Sequence, residues 1–122
     1  MLRVRLPFPD SKLSPNSRLH WAQRHRASKK AKGDACVLTM KALQEDRSSW
    51  EDILQRERID IRLEFHPKAA YRYDQDNLIA RMKAALDGVS ATLGVDDVRF
   101  NIVKTDIMAP CKEDPHVLVC VG

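Results

Sequence analysis

The sequence predicts an α+β fold, an α/β sandwich with two helices on one face of a mixed four-stranded sheet, in the order β-α-β-α-β-β. Runs in which apolar and polar residues alternate, at residues 2–6 and 59–65, are typical of half-buried strands. Apolar residues three and four apart, over 28–46 and 77–92, are typical of amphipathic helices. At 122 residues the chain has the length of one domain, so we expect a single domain over residues 1–122.

The N-terminal half is predicted to hold one strand and one long helix. Apolar and arginine residues alternate over 2–6, and the prolines that follow stop this strand. Residues 7–20 contain three prolines and several turn-forming side chains, which favours an ordered loop. The first helix is expected to begin near Ser28 and to end near residues 46–49.

The middle of the chain carries the clearest strand. Residues 59–65 alternate between Ile, Leu or Phe and charged side chains, and Pro67 stops the run. Residues 67–75 have no apolar period and are predicted to form a loop. The second helix is predicted from about Asn77 to Thr92.

The C-terminal part is predicted to add two strands. Gly94 suits the end of the second helix, because glycine tolerates the left-handed backbone conformation that closes many helices. The third strand is expected to begin at Val98 and to reach about Met108. A short apolar strand over 116–121 completes the sheet.

Composition favours a polyanionic partner and argues against a disulfide framework. The chain has 21 Lys and Arg against 17 Asp and Glu, and its pI is about 9.1. Cys36, Cys111 and Cys120 are odd in number and lack the C-x-x-C spacing of a zinc site, so we expect reduced thiols. No apolar run reaches the ~20 residues that cross a bilayer. A cytoplasmic location, with no membrane partner, is expected.

Positive charge is concentrated in a basic segment, residues 18–32. Two interpretations stand: a solvated loop and helix start, or a surface that contacts nucleic-acid phosphates. Cations near a helix N-terminus oppose its dipole, which favours a role beyond the fold. The basic segment contains Trp21 and eight basic or histidine side chains: Arg18, His20, Arg24, His25, Arg26, Lys29, Lys30 and Lys32.

Carboxylates cluster at both ends of the second predicted helix. The run Asp74-Gln75-Asp76-Asn77-Leu78 precedes it, and Asp96-Asp97 follows it. Asp76 or Asn77 is expected to begin the helix, since Asp and Asn favour N-cap positions. In an extended segment Asp74 and Asp76 point to the same side. Mg²⁺ is typically held by one or two carboxylates together with substrate phosphates, so this pair is a candidate metal site.

The two acidic clusters are far apart along the helix. A helix of about 16 residues is about 24 Å long, so its ends cannot share a metal ion unless the following loop returns. The alternative interpretation is that both clusters are helix caps and solvated turns. Sequence alone does not decide between them.

The same residues carry a family resemblance. The run Asp74-x-Asp76-Asn77-Leu78, an Asp87-Gly88 step and Gly94-x-Asp96-Asp97-x-x-Phe resemble the RusA family of Holliday junction resolvases. The stretch Leu13-Ser14-Pro15-Asn16-x-Arg18-x-His20-Trp21 is similar to the matching segment of RusA-like proteins. The resemblance covers essentially the whole chain.

The resemblance implies a homodimeric, Mg²⁺-dependent endodeoxyribonuclease that cuts four-way DNA junctions symmetrically in recombination and repair, with Mn²⁺ as an alternative ion. Its metal-binding aspartates map onto Asp74, Asp76 and Asp97, and Asp96 is the alternative to Asp97. Where the best-known branch has a catalytic lysine, this chain has Ala80. Lys83, two helical turns after Asp76, is expected to supply the missing charge.

The residues expected to contact DNA combine the N-terminal motif, the basic segment and one side chain beside the acidic run. They are Asn16, Arg18, His20, Arg24, Arg26, Lys29, Lys30 and Arg72.

Two other functions remain open at this stage. One is a non-catalytic junction-binding or nucleic-acid-binding protein whose aspartates only cap helices. The other is a metal-dependent nuclease that prefers flaps, replication forks or RNA. The resemblance is to proteins of bacteria and their phages, so a bacterial or phage-encoded protein is expected.

Overall fold

The computed structural model describes all residues, 1–122, as a four-stranded sheet with four helices. Two three-residue 3-10 turns lie in the loops, at Ser11–Leu13 and Asp97–Arg99. In chain order the strands and helices are β1 (Leu2–Pro7), α1 (Trp21–Glu45), α2 (Arg47–Leu54), β2 (Ile59–His66), α3 (Gln75–Arg81), α4 (Lys83–Leu93), β3 (Phe100–Ile107) and β4 (His116–Val121).

The sheet is mixed, with the strand order β1-β4-β2-β3. β4 runs antiparallel to both β1 and β2, whereas β3 runs parallel to β2. The parallel pair is joined through α3 and α4, as such a crossover requires. The register between β2 and β3 shifts after Ile61, where a bulge places Val103 outside the regular pairing.

The core lies between one face of the sheet and the helices. Alternate residues of β1, β2 and β4 are buried, as period-2 strands require, and β4 departs from this pattern only at Cys120, which is buried along with its neighbours Val119 and Val121. The fully buried side chains on this face include Phe65, Leu63 and Val119, and Leu43, Val89 and Leu93 cover them from the helices. On the opposite face β1 and β2 carry charged side chains, such as Arg3, Arg5, Asp60 and Arg62.

The long first helix and an extra helix correct the prediction for the N-terminal half. α1 begins at Trp21, about two turns before the predicted Ser28, because His20 Nδ1 caps it by accepting from Ala22 N at 3.2 Å. α1 ends at Glu45 with Asp46 as its C-cap, as predicted, but a further helix that was not predicted, α2, begins directly after it at Arg47. Asp46 caps this helix by accepting from Ser49 N at 3.2 Å.

The second predicted helix is present but divided. α3 and α4 meet at Met82, whose N–H donates to Ile79 O, three residues back, at 3.0 Å. The expectation of two helices is therefore wrong, and the structure has four. Gly94 ends α4 in the left-handed conformation with φ of 79°, as predicted.

The third strand begins at Phe100 rather than at Val98, because Asp96 caps a 3-10 turn that includes Val98. The fourth strand, His116–Val121, has the predicted bounds. All three cysteines are free, as expected. None of the helices combines the length and apolarity needed to span a membrane.

Gly88 fixes how closely α1 and α4 pack. A Cβ at this position would lie 2.5 Å from the Lys32 backbone oxygen and 3.0 Å from Ala35 Cβ. Only glycine allows this approach without displacing backbone. The contact holds α4, which follows α3 and the Asp74–Asp76 run, against α1, which begins in the basic segment.

Candidate functional site

Asp74 and Asp76 lie at the start of α3, and both side chains are exposed. Asp74 caps the helix, because its Oδ1 accepts from Asp76 N at 3.0 Å. The prediction that Asp76 or Asn77 caps the start of the helix is therefore wrong by two to three residues, since Asp74 is the N-cap. Neither carboxylate forms a salt bridge. Their charge remains available to a cation from solution.

Asn77 connects the acidic run to the N-terminal motif. Its Nδ2 donates to Ser14 Oγ at 2.7 Å, across 63 residues of sequence. Its Oδ1 accepts from Arg81 Nε at 2.9 Å, so both ends of the amide are used. This hydrogen bond places the segment that leads into α1 beside the start of α3.

Lys83 and Asp97 form a second group at the start of α4. Lys83 Nζ lies 3.8 Å from Asp97 Oδ2 and 3.3 Å from Asp87 Oδ1. Asp96 instead caps the following 3-10 turn, accepting from Val98 N at 3.1 Å. Of the Asp96–Asp97 pair, Asp97 is thus the carboxylate that lies beside the predicted lysine.

The predicted three-aspartate metal site is not assembled by these side-chain positions. No three His, Cys, Asp or Glu side chains lie close enough together to hold a metal ion. The structure joins Asp74 to Asp76, and Lys83 to Asp97, as two separate groups. An exposed, unpaired carboxylate pair such as Asp74 and Asp76 fits a hard ion that takes its other ligands from phosphate and water.

The basic segment is mostly helical. Because α1 begins at Trp21, the cations from Arg24 onward lie on its first three turns, and Arg18 and His20 precede it. Lys30 Nζ pairs with Asp34 Oδ2 at 2.7 Å, and this bond raises the pKa of Lys30. His20 uses Nδ1 as the helix cap, which leaves Nε2 for an external partner.

Four side chains of the basic segment line up along the helix. His25, Lys29 and Lys32 are four and three residues apart, and Arg26 adjoins them, so they share one side of α1. All four are exposed, and none forms a salt bridge. We call these residues the basic stripe. Unpaired cations in a row present the charge that a phosphate backbone neutralises.

Aromatic residues near the acidic run divide into packed and exposed groups. Tyr73 packs against Phe8 with 5.7 Å between ring centroids, so its role is structural. Tyr71 is 71% exposed, and Arg72 beside it is also exposed. Trp21, at the start of α1, is 72% exposed. Exposed rings beside cations suit stacking on nucleic-acid bases.

A pocket of about 150 Å³ lies between the Ser11–Leu13 turn, α1 and the start of α4. Its charged lining residues are Lys30 and Arg81, with Asp10 and Asp34. Two cations and two carboxylates leave no net charge. The lining of the pocket therefore gives no excess of positive charge, unlike the exposed basic stripe.

Sequence reasoning missed the connecting roles of Ser14, Asn77 and Arg81. All three were visible only as members of motifs or of a helix face. Asn77 is the third residue after the N-cap Asp74, and its side chain reaches outside the helix to Ser14. Its partner, 63 residues earlier, could not be identified from spacing.

Comparison with known proteins gives a relative of undetermined role. No family model matches the chain. The chain is 39% identical over 102 residues to a protein of Xylella fastidiosa (strain Temecula1) that is described as an uncharacterized protein. The match covers 82% of this chain and 63% of that protein, so the chain spans less than two thirds of its relative's length. The similarity is to a bacterial protein and carries no activity with it.

Proposed function

We propose that this protein is a RusA-like endodeoxyribonuclease that binds four-way DNA junctions and cuts them by symmetric phosphodiester hydrolysis. The proposed partners are branched DNA and a second copy of the chain, and the proposed cofactor is Mg²⁺ or Mn²⁺. The proposed cellular location is the cytoplasm of a bacterium.

The observation that carries the proposal is the hydrogen bond from Asn77 to Ser14. It joins the two sequence segments on which the family resemblance rests, which are remote in the chain. As a result, an exposed carboxylate pair lies beside the segment that leads into the basic stripe. Cations to position the DNA backbone and carboxylates at the cleavage point are the two parts that the activity needs.

The proposed roles of the residues follow from their positions. The basic stripe, Arg18 and Arg24 bind phosphates, and Tyr71 and Trp21 stack on unpaired bases near the branch point. Asn16 and Arg72 contact the strands beside the acidic run. Lys83, held by Asp87 and Asp97, neutralises charge that develops on the phosphate.

Asp74 and Asp76 would hold the proposed ion, with phosphate and water as its other ligands. When bound, a divalent ion supplies an activated water and neutralises charge on the leaving oxygen. Before it binds, the two exposed carboxylates repel the DNA backbone. Asp97 is the third candidate of the resemblance, but the structure places it with Lys83, so its proposed role is to orient that lysine.

The test uses purified protein and a labelled synthetic four-way junction, with matched duplex, flap and fork substrates, in Mg²⁺ and in EDTA. We expect paired, symmetric nicks in the junction alone, which EDTA abolishes. Asp76→Asn is expected to abolish cutting while junction binding is kept or tightened, since one repulsive charge is removed. Asp52→Asn, an equal charge change on the exposed side of α2, is the matched control and should cut normally.

Two results would contradict the proposal. Normal cleavage by Asp76→Asn would show that this carboxylate is not in the cleavage site. Cleavage of flaps or forks in preference to junctions would assign the protein to another class of nuclease.

A non-catalytic junction-binding protein is the second candidate function. It is favoured by one observation: no three carboxylates or other metal ligands are grouped together. It predicts tight, metal-independent binding to the junction and no nicks. If that result is obtained, Ala80→Lys is the first change to test, because it restores the lysine of the family pattern.

A further inference from the structure

Strand β3 is one of the two edges of the sheet and pairs only with β2. It spans eight residues, Phe100–Ile107, and contains no proline. A strand edge carries a row of unpaired N–H and C=O groups, which natural proteins shorten, charge, interrupt or cover. β3 is interrupted only at the bulge near Val103, so the part after the bulge is a regular, open edge.

The backbone groups that point to this open edge can be assigned. Met108 N donates to Phe65 O at 2.8 Å, so the backbone of Met108 is directed towards β2. In a parallel pair every second residue is directed to the same neighbour. Lys104 and Asp106 therefore share that direction, and Thr105 and Ile107 present their N–H and C=O groups outwards.

We propose that this edge docks, antiparallel, on the same edge of a second copy of the chain, with the two-fold axis at Thr105. In that register Thr105 pairs with Thr105 of the second copy and exchanges two backbone hydrogen bonds. Ile107 lies opposite Val103 of the second copy. The result is one continuous eight-stranded sheet across the dimer.

Charge complementarity favours this register, and Lys104 and Asp106, which lie 3.6 Å apart within one chain, are the side chains that provide it. With the axis at Thr105, Lys104 lies opposite Asp106 of the second copy, and Asp106 lies opposite its Lys104. Both side chains are on the face away from the helices, since they pair with Arg62 and Glu64 of β2. Opposite charges in directly facing positions stabilise antiparallel pairs, and like charges destabilise them. Such self-complementarity is the requirement for a two-fold interface.

The side chains of β3 are incompletely covered in the single chain. No residue of β3 is buried, whereas every second residue of its neighbour β2 is. Val103, Ile107 and Met108 are large, apolar and exposed at or just after this edge. Pairing with a second copy removes these apolar side chains from water, which favours association.

The inference concerns the proposed homodimer and rests on it, but it does not depend on the proposed cleavage chemistry. The test therefore measures association itself. Sedimentation over a wide concentration range should show the wild-type protein in equilibrium between the 14.0 kDa chain and twice that mass. A wild-type protein that stays monomeric at every concentration would overturn the proposal.

The first variant removes one outward hydrogen-bond donor. Thr105→Pro deletes an N–H that points away from β2, so the fold should persist with an unchanged circular dichroism spectrum. We expect its dissociation constant to rise at least about tenfold. Thr105→Val keeps the N–H and is the matched control, with dimerisation retained. An equally strong dimer in Thr105→Pro would show that the copies associate through another surface.

The second test exchanges charges. Lys104→Asp alone places acidic residues opposite one another, and Asp106→Lys alone places lysines opposite one another, so each variant should be largely monomeric. An equimolar mixture of the two restores both opposite-charge pairs and should form the heterodimer. The same two proteins are measured alone and mixed, so the comparison depends only on which charges face each other. If the mixture fails to associate, the register centred on Thr105 is wrong.

Discussion

The ammonium of Lys83 lies 3.8 Å from the carboxylate of Asp97, although α4 and its C-terminal turn separate the two residues in sequence. The chain after Gly94 thus returns towards the start of α4. The two ends of a helix about 24 Å long can contribute to one site only if the chain after the helix turns back towards its start. It brings Asp97 to Lys83, two helical turns after Asp76.

The position of Lys83 gives the first prediction. Lys83→Gln should lower junction cleavage by about a hundredfold, because a cation that stabilises developing charge is removed from the site. Its effect on the free energy of unfolding should stay below about 1 kcal/mol, because both of its ion pairs are exposed. Single-turnover cleavage rates and urea unfolding measure the two quantities. Lys41→Gln, which changes an exposed lysine of α1, is the control. Equal cleavage rates for the two variants would show that Lys83 is not part of the cleavage site.

The basic stripe predicts the salt dependence of binding. Neutralising Arg26 and Lys29 of the basic stripe, together with Arg24 of the same basic segment, should lower the slope of log affinity against log salt by up to about 2.7, at about 0.9 for each phosphate contact. Fluorescence anisotropy with a labelled junction, titrated at several salt concentrations, gives this slope.

A control for the basic stripe must carry the same change in net charge. Arg47, Lys68 and Lys112 are exposed and form no salt bridges, so their joint replacement by Gln is such a control. If both triple variants change the slope equally, binding responds to overall charge and not to α1.

The close approach of α1 and α4 predicts opposite effects at two glycines. Gly88→Ala places a methyl group 2.5 Å from the Lys32 oxygen, so the helices must separate, and we expect a loss of about 1–3 kcal/mol of unfolding free energy. Gly33→Ala, inside α1 with no atom within 4 Å of the new group, should raise it by up to about 1 kcal/mol. Denaturant unfolding measures both. A neutral Gly88→Ala would mean that α4 shifts freely on α1.

Local patterns were sufficient to predict the strands and the end of α4. The alternation in β2 and the glycine after α4 depend on neighbouring residues, which the sequence displays directly. The start of α1 was missed because His20 serves as its cap, a role for which histidine gives little signal. The division at Met82 has no sequence marker such as proline or glycine.

The site was less predictable than the fold, because it depends on contacts between remote segments. Asp74 and Asp76 were identified, but Asn77–Ser14 and Lys83–Asp97 arise from packing that places loops beside helices. The family resemblance implied three aspartate ligands in one place, whereas the structure groups Lys83 with Asp97 and leaves Asp74 and Asp76 without an ion pair. A pattern of residue types gives the chemistry of a site, and only the tertiary fold gives its geometry.

A pair of stacked histidines gives the last prediction. His66 and His116, at the paired ends of β2 and β4, have ring centroids 4.3 Å apart and an angle of 10° between their planes. Burial lowers the pKa of His66 from its usual 6.5, and the charges of His116 and Arg5 lower it further, against the opposing effect of Glu64. Asp114, which pairs with Arg5, completes the charged groups at this end of the sheet.

The sign of the pH effect follows from the lowered pKa. Below pH about 6.5 the unfolded chain binds a proton at His66 that the folded protein resists, so stability decreases as the pH falls through the folded pKa. Urea unfolding at pH 8 and at pH 5 should show this loss, and His66→Phe, which keeps a ring in the stack, should reduce it. His25→Gln, an exposed histidine on α1, should not. An NMR titration that places the pKa of His66 at or above 6.5 would contradict both the burial and the repulsion inferred for the pair.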